Sequence, residues 1–256
     1  MHLVVVHHWD TDNPELPQKI AAAMEMLVFD VRQRLAVGSP VVMTSYADPQ
    51  RAASIAEQLT RDGVPCLLID TEQLRAKNAP LLVRRFRLTD AALQFELSDG
   101  RSTQLPYAEI GLILPATTLV EQGETTTTIT GRKFSLGRTL ATGGIPMTKK
   151  VTQKVKVSHS ERDELLCVHA PGKKMLLLCR GVLDYAGLGE ALQMSRTLNF
   201  AHLKNELIRR APAALVDERL LQRAAQARLL GPFFDPDKNL DLAYVVLART
   251  LCPAPP

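Results

Sequence analysis

Residues 81–120 read LLVRRFRLTDAALQFELSDGRSTQLPYAEIGLILPATTLV. Phe86 and Leu88 alternate here with Arg85 and Arg87, and Leu93, Phe95 and Leu97 alternate with Gln94 and Glu96. That two-residue period belongs to strands with one buried face. Ser98, Asp99 and Gly100 supply a turn whose glycine can take positive φ, so the strand around Phe95 is expected to fold back onto one around Thr103. The apolar run 110–114 is expected to form a further strand, ended by Pro115 because proline has no ladder donor.

The order of an apolar strand, Leu-Thr-Asp, a second strand, an Asp-Gly turn and Leu-Pro-Tyr-x-Glu-Ile includes Pro106, Glu109 and Ile110. It resembles the opening hairpin of bacterial pleckstrin-homology-like domains. The resemblance extends over about residues 81–211 and implies a curved β-barrel closed by a C-terminal helix. Residues 197–210, TLNFAHLKNELIRR, stand where that helix would be, with Leu198, Ala201, Leu203, Leu207 and Ile208 compatible with one apolar stripe. It implies a binding or assembly module, with no shared catalytic residue to carry over.

Upstream, the chain alternates between element types. Residues 3–8 form an apolar strand, and Thr11-Asp12-Asn13-Pro14 opens a helix carrying Ile20, Met24, Leu27, Val31 and Leu35, which Gly38 stops. A strand over 41–46 follows, then a helix capped by Asp48-Pro49 with Ile55 and Leu59 inward, and a strand over 64–69. This β-α-β-α-β order indicates a small α/β domain over residues 1–79. The switch to mostly β pattern at Pro80 opens a β-rich domain over 80–211. In it Val151, Val155 and Val157 alternate with Thr152, Lys154 and Lys156, and Pro171-Gly172 joins a second hairpin. Helices at about 197–210, 216–229 and 238–251 complete the chain, with residues 212–256 packing on the β-rich domain. The expected class is α+β: a small α/β domain, then an antiparallel, PH-like barrel with C-terminal helices.

The chain has 256 residues, of which 46% are hydrophobic and 23% charged, the profile of an ordinary globular protein. Its four cysteines form no CxxC pair and no zinc-finger spacing, so they read as small buried hydrophobes of a reducing compartment. The start MHLVVVHHWD lacks the features of a signal peptide, and no stretch is long enough to cross a bilayer, which together lead us to expect a cytoplasmic protein. Apolar positions between 220 and 230 would imply a homo-oligomer if exposed.

Charge is unevenly distributed. Residues 125–160 hold seven of the 31 Lys and Arg and none of the 27 Asp and Glu: Arg132, Lys133, Arg138, Lys149, Lys150, Lys154 and Lys156. Such a block suits an acidic protein partner or another anionic ligand, nucleic acid included, although charge runs are more often simply solvated. Phe134 is its one aromatic, which is little for single-strand stacking.

Other motifs fail. Gly131 to Thr139 departs from a phosphate loop, with five residues between its glycines and arginine in place of lysine. The connection after the first strand has no glycine to approach a pyrophosphate, so no dinucleotide cofactor is expected. His7, His8, Asp10 and Asp12 offer metal-ligand chemistry for a hydrolase, but successive strand residues point to opposite faces, so His7 and His8 share an ion only if the strand ends between them. Cys167 and Ser158 lie near His169 and His159 in sequence, yet no G-x-S-x-G elbow is present. The reading is a non-enzymatic module, with nucleic-acid binding and metal-dependent hydrolysis as alternatives.

The valine and lysine alternation predicts different fates for neighbouring residues. Val155→Asp should abolish the cooperative thermal transition of its strand by burying a charge, whereas Lys154→Glu with Lys156→Glu should melt as the unaltered protein does. Equal losses in the two melting curves would make the lysines structural.

Overall fold

A computed structural model describes residues 1–36, 38–77, 79–134 and 148–253, with residue 77 and residues 120–134 and 148–161 described by backbone alone. It is a mixed α+β structure with one three-stranded and one seven-stranded sheet among the described residues. By contacts it divides into two compact units, one of residues 119–162 and one of the remainder.

The small sheet contains β1 (His2–Val6), β2 (Val41–Tyr46) and β3 (Cys66–Asp70) in the order β2-β1-β3, with β1 antiparallel to both neighbours. Between β1 and β2 the structure has two helices, α1 (Leu16–Met24) and α2 (Val28–Leu35), where one was expected. The break falls at Glu25, which adopts a left-handed φ of 55°. Leu27, expected to face inward, becomes the residue before α2 and is 71% exposed. Helix α3 (Pro49–Arg61) begins as expected, with the Asp48 carboxylate accepting from the Gln50 N–H at 2.9 Å. Helix α4 (Thr71–Lys77) follows β3 directly.

The large sheet has the order β10-β7-β8-β9-β4-β5-β6, and it is open at β10 and β6 rather than closed as a barrel. Its strands are β4 (Leu81–Leu88), β5 (Ala92–Leu97), β6 (Ser102–Pro106), β7 (Leu112–Phe134), β8 (Thr148–His169), β9 (Leu176–Cys179) and β10 (Leu215–Val216). The Asp-Gly hairpin is present, with Phe95 opposite Thr103. So is the Pro-Gly hairpin, with Leu166 opposite Leu178. The departure from a barrel lies in the middle, where β4 pairs in parallel with β9 and leaves β6 as an edge.

Strand β7 runs through Pro115 instead of ending there. The Gly111 and Ile113 carbonyls accept from Leu215 and Asp217 at 3.0 and 3.1 Å, so alternate residues of β7 point their polar groups toward β10. Pro115 shares that side, but β10 has ended at Val216. A missing N–H costs nothing where no strand lies opposite.

The apolar run 110–114 lacks alternation because this part of β7 is buried on both faces. Leu112, Leu114 and Ala116 join one core cluster with Leu165 and Cys167 of β8, with Leu3, Val5 and Ile69 of the small sheet, and with α7 (Leu240–Leu251). Ile113, Leu166, Val168 and Leu178 join another with Phe86, Phe95 and α5 (Arg196–Arg210). In α5 the buried stripe is Phe200, Leu203 and Leu207, whereas Leu198 and Ala201, expected inward, are exposed. The opposite face of the small sheet, with Val4, Val6, Val41 and Met43, packs under α1, α2 and α3. Helix α6 (Arg223–Leu230) places Leu229 and Leu230 in the same cluster as α7.

The 3-10 segment Tyr185–Ala191 lies directly on β4, where a Cβ on Gly187 would stand 1.7 Å from the Phe86 carbonyl oxygen. Only glycine allows that approach.

Two-sided burial makes adjacent residues of β7 equally costly to truncate. Leu112→Ala and Ile113→Ala should each lose about 2–5 kcal/mol in urea unfolding, since both side chains are fully buried. A cost below about 1 kcal/mol for either one would show a strand with a single buried face.

Candidate functional site

The residues of the basic block occupy paired strands as far as the description reaches. Arg132 and Lys133 belong to β7, and Lys149, Lys150, Lys154 and Lys156 belong to β8, its hydrogen-bonded neighbour in the sheet. Arg138 lies outside the described residues, as do the side chains of the other six. Residues 119–134 of β7 and 148–162 of β8 form the smaller compact unit.

Arginines on β4 have described side chains. The β4–β5 register shifts between Val83 and Arg85, a bulge that leaves both Arg84 and Arg85 exposed. Beyond it Arg85 stands opposite Glu96, and Arg87 opposite Gln94; Glu96 and Gln94 in turn face Ser102 and Gln104 on β6. These rows line an open cleft of about 510 Å3. Arg85 donates to Asp184 at 3.2 Å and to Glu96 at 3.4 Å. Asp184 is held below the usual carboxylate range by the Ala186 N–H and then by Arg85. Arg84 and Arg87 have no ion-pair partner among the described residues. A smaller cleft of about 270 Å3 shares Arg85 and adds Arg84 and Arg196. The sequence marked Arg85 and Arg87 as outward-facing, but the bulge beside them has no local signature.

The histidine and aspartate cluster takes a different form from a metal centre. Strand β1 ends at Val6, so both histidines lie beyond it, and their Nδ1 atoms meet at 2.8 Å with the rings edge to face. His8 adopts a φ of 47° and its N–H donates to Ser39 Oγ at 2.8 Å. Asp10 is spent on its own turn, accepting from the Asp12 N–H at 2.9 Å. Among the described residues no three His, Cys, Asp or Glu are placed to hold a metal ion.

Nucleophilic chemistry finds no support at Cys167. Burial pushes its thiol up to about 12, and Sγ donates to Met175 Sδ at 3.4 Å, so the thiolate needed for attack is suppressed. Cys179 is pushed up to about 11 by burial and by Asp163. The side chains of Ser158, His159 and Ser160, and all of Ser135, lie outside the described residues. Among the described residues no helix is long and apolar enough to cross a membrane.

No family model matches the chain, and no curated protein and no solved structure is significantly similar to it.

The histidines set a pH dependence. Burial and the neighbouring His8 lower His7 below its ordinary 6.5, and burial lowers His169, whose hydrogen bond to the Cys252 backbone opposes the shift. A histidine with a depressed folded pKa gives stability that is present above 6.5 and lost as pH falls through the lowered value. The thermal midpoint should therefore drop from pH 7.5 to pH 5, and His7→Asn should drop less, retaining the His169 part. Parallel pH profiles for the two proteins would remove His7 from the account.

Proposed function

We propose that the protein is a non-enzymatic binding or assembly module that presents a basic surface to an acidic protein partner. The observation that carries this reading is the segregation of seven basic and no acidic residues in 125–160, six of them on the neighbouring strands β7 and β8. Like charges closer than a Debye length, about 8 Å at physiological salt, repel one another, and an anionic partner relieves that repulsion. Arg84 and Arg87 on β4, without an ion-pair partner among the described residues, add positive charge elsewhere on the surface. As part of the same proposal, the relation to PH-like domains rests on the β4-β5-β6 meander and on α5 in the place of the closing helix. The open sheet is this chain's departure from that plan.

A second reading, nucleic-acid binding, is favoured by the length of the two strands, 23 and 22 residues, because two-stranded ribbons fit a duplex groove. Phosphate contacts would then give a steep salt dependence.

Fluorescence anisotropy with a labelled polyglutamate peptide and a labelled DNA duplex, each at 50 and 200 mM salt, tests both readings. The peptide should bind, and Lys154→Glu with Lys156→Glu should weaken it at least about tenfold, the equivalent of about 1.4 kcal/mol. Tighter binding of the duplex, with a loss of about 10³-fold or more between the two salts, would transfer the function to nucleic acid. Unchanged affinity of both probes for the double variant would remove the basic block as a recognition surface.

A further inference from the structure

Four strongly exposed apolar side chains, Val182, Leu192, Met194 and Leu198, fall between residues 182 and 198, and Met194 is exposed to 107%. Scattered singly such residues need no explanation, but gathered together they mark a contact surface. The backbone that carries them is pinned. Asn199, only 4% exposed, accepts from the Gln193 N–H at 2.7 Å and donates from Nδ2 to the Gln193 carbonyl at 2.9 Å, so Leu192 and Met194 project from a closed turn ahead of α5. Gly181 is held from both sides, its N–H donating to Asp163 at 3.1 Å and its carbonyl accepting from Arg196 at 2.7 Å, which brings the first residue of α5 beside Val182. Apolar side chains held in water contribute no burial energy until another surface covers them.

Beside this patch lies the cleft of about 270 Å3 that Val182 shares with Arg84, Arg85, Asp184 and Arg196. The bulge in β4 builds it: the Asp184 N–H donates to the Arg84 carbonyl at 2.9 Å, and both arginines of the bulge are exposed. Arg85 is answered by Asp184 and Glu96, whereas Arg84 has no ion-pair partner among the described residues and Arg196 donates to a neutral carbonyl. We propose that this surface docks a short segment of a protein partner, one with an Asp or Glu carboxylate for Arg84 and Arg196 beside apolar side chains for Leu192, Met194 and Leu198. Charge decides the sign, because three guanidiniums and one carboxylate line the cleft. An arginine fork takes a carboxylate in two parallel, charge-assisted hydrogen bonds. Asp184 selects among anions. The Ala186 N–H and Arg85 hold it below the usual carboxylate range, so it stays ionised on the cleft wall and opposes a phosphate dianion more than a carboxylate. The apolar patch sets the rest of the segment, and Met194 suits varied apolar neighbours because its thioether is flexible and polarizable. All these residues belong to the compact unit that excludes 119–162, so the site does not rest on the basic segment or on the function proposed for it.

A random peptide library displayed on phage and selected against the full chain supplies the probe, and fluorescence anisotropy of an enriched peptide measures its affinity. Enriched peptides should carry Asp or Glu next to Leu, Ile, Met or Phe. Arg84→Glu and Met194→Asp should each weaken the peptide at least about tenfold. Both side chains are exposed, so the two variants should melt as the unaltered protein does. Arg61→Glu, the same charge change on the exposed end of α3, should leave the affinity unchanged. Replacing the peptide's acidic residue by its amide should weaken binding to the unaltered protein and have little effect with Arg84→Glu, since the pair is then already broken. Failure to enrich any peptide, enrichment of peptides without a carboxylate, or equal affinity for either variant would overturn the proposal. Tighter binding with phosphoserine in place of the acidic residue would overturn the choice of carboxylate. Vesicles of phosphatidylcholine and phosphatidylserine that bind the unaltered protein but not Met194→Asp, with no peptide bound, would assign the surface to a membrane instead.

Discussion

The fold of the larger unit depends on the burial of β7, β8 and β9 on both faces. A strand places successive side chains on opposite sides, so a strand with two buried faces must supply apolar residues at consecutive positions. Leu112, Ile113 and Leu114 meet that requirement on β7, Leu165 to Val168 on β8 and Leu176 to Leu178 on β9. One face joins the small sheet and α7, the other joins β4 to β6 and α5. These strands therefore hold together segments more than a hundred residues apart. The open order of the sheet follows, because a face covered by a helix and a second sheet does not need to curl into a barrel to exclude water.

Charge is kept out of these cores and organised at their margins. Glu206, accepting from Arg209 and from Arg210, is held down to about 2, and Arg210 also donates to the Thr89 carbonyl, which ties α5 to the turn after β4. Arg219 joins Asp217 to the Ser39 carbonyl, linking the segment before α6 to the approach of β2. Such pairs are partly exposed and individually weak, so they orient segments more than they stabilise them. By contrast, the buried thiol of Cys167 and the half-buried thiol of Cys179 sit where nothing favours their charged form, which is the behaviour of packing residues. The positive charge lacking acidic company in the sequence lies in 125–160.

Much of the element inventory was legible in the sequence because it is written in local chemistry. Asp48-Pro49 marked the start of α3, Asp99-Gly100 and Pro171-Gly172 marked two hairpins, and the period of two around Phe95 marked β5. The class α+β followed from these. The pairing of β4 with β9, the passage of β7 through Pro115 and the exposure of Leu27 and Leu198 were not legible. Each is decided by what lies opposite a residue in space. Pro115 fits because β10 is only two residues long, and Leu27 turns outward because Glu25 adopts a left-handed backbone that splits the helix.

The same division holds for the candidate sites. The sequence by itself determined the basic block, since charge segregation is a property of composition along the chain, and it determined the absence of a phosphate loop and a dinucleotide motif, since both need glycines at set spacings. Only the tertiary structure decided that His7 and His8 meet each other while Asp10 turns back on Asp12. It alone brought Leu74, Met175 and Tyr244 around one cavity. The physical reason is range: turns, caps and strand periods act over a few residues, whereas a cavity exists only after segments distant in sequence have packed.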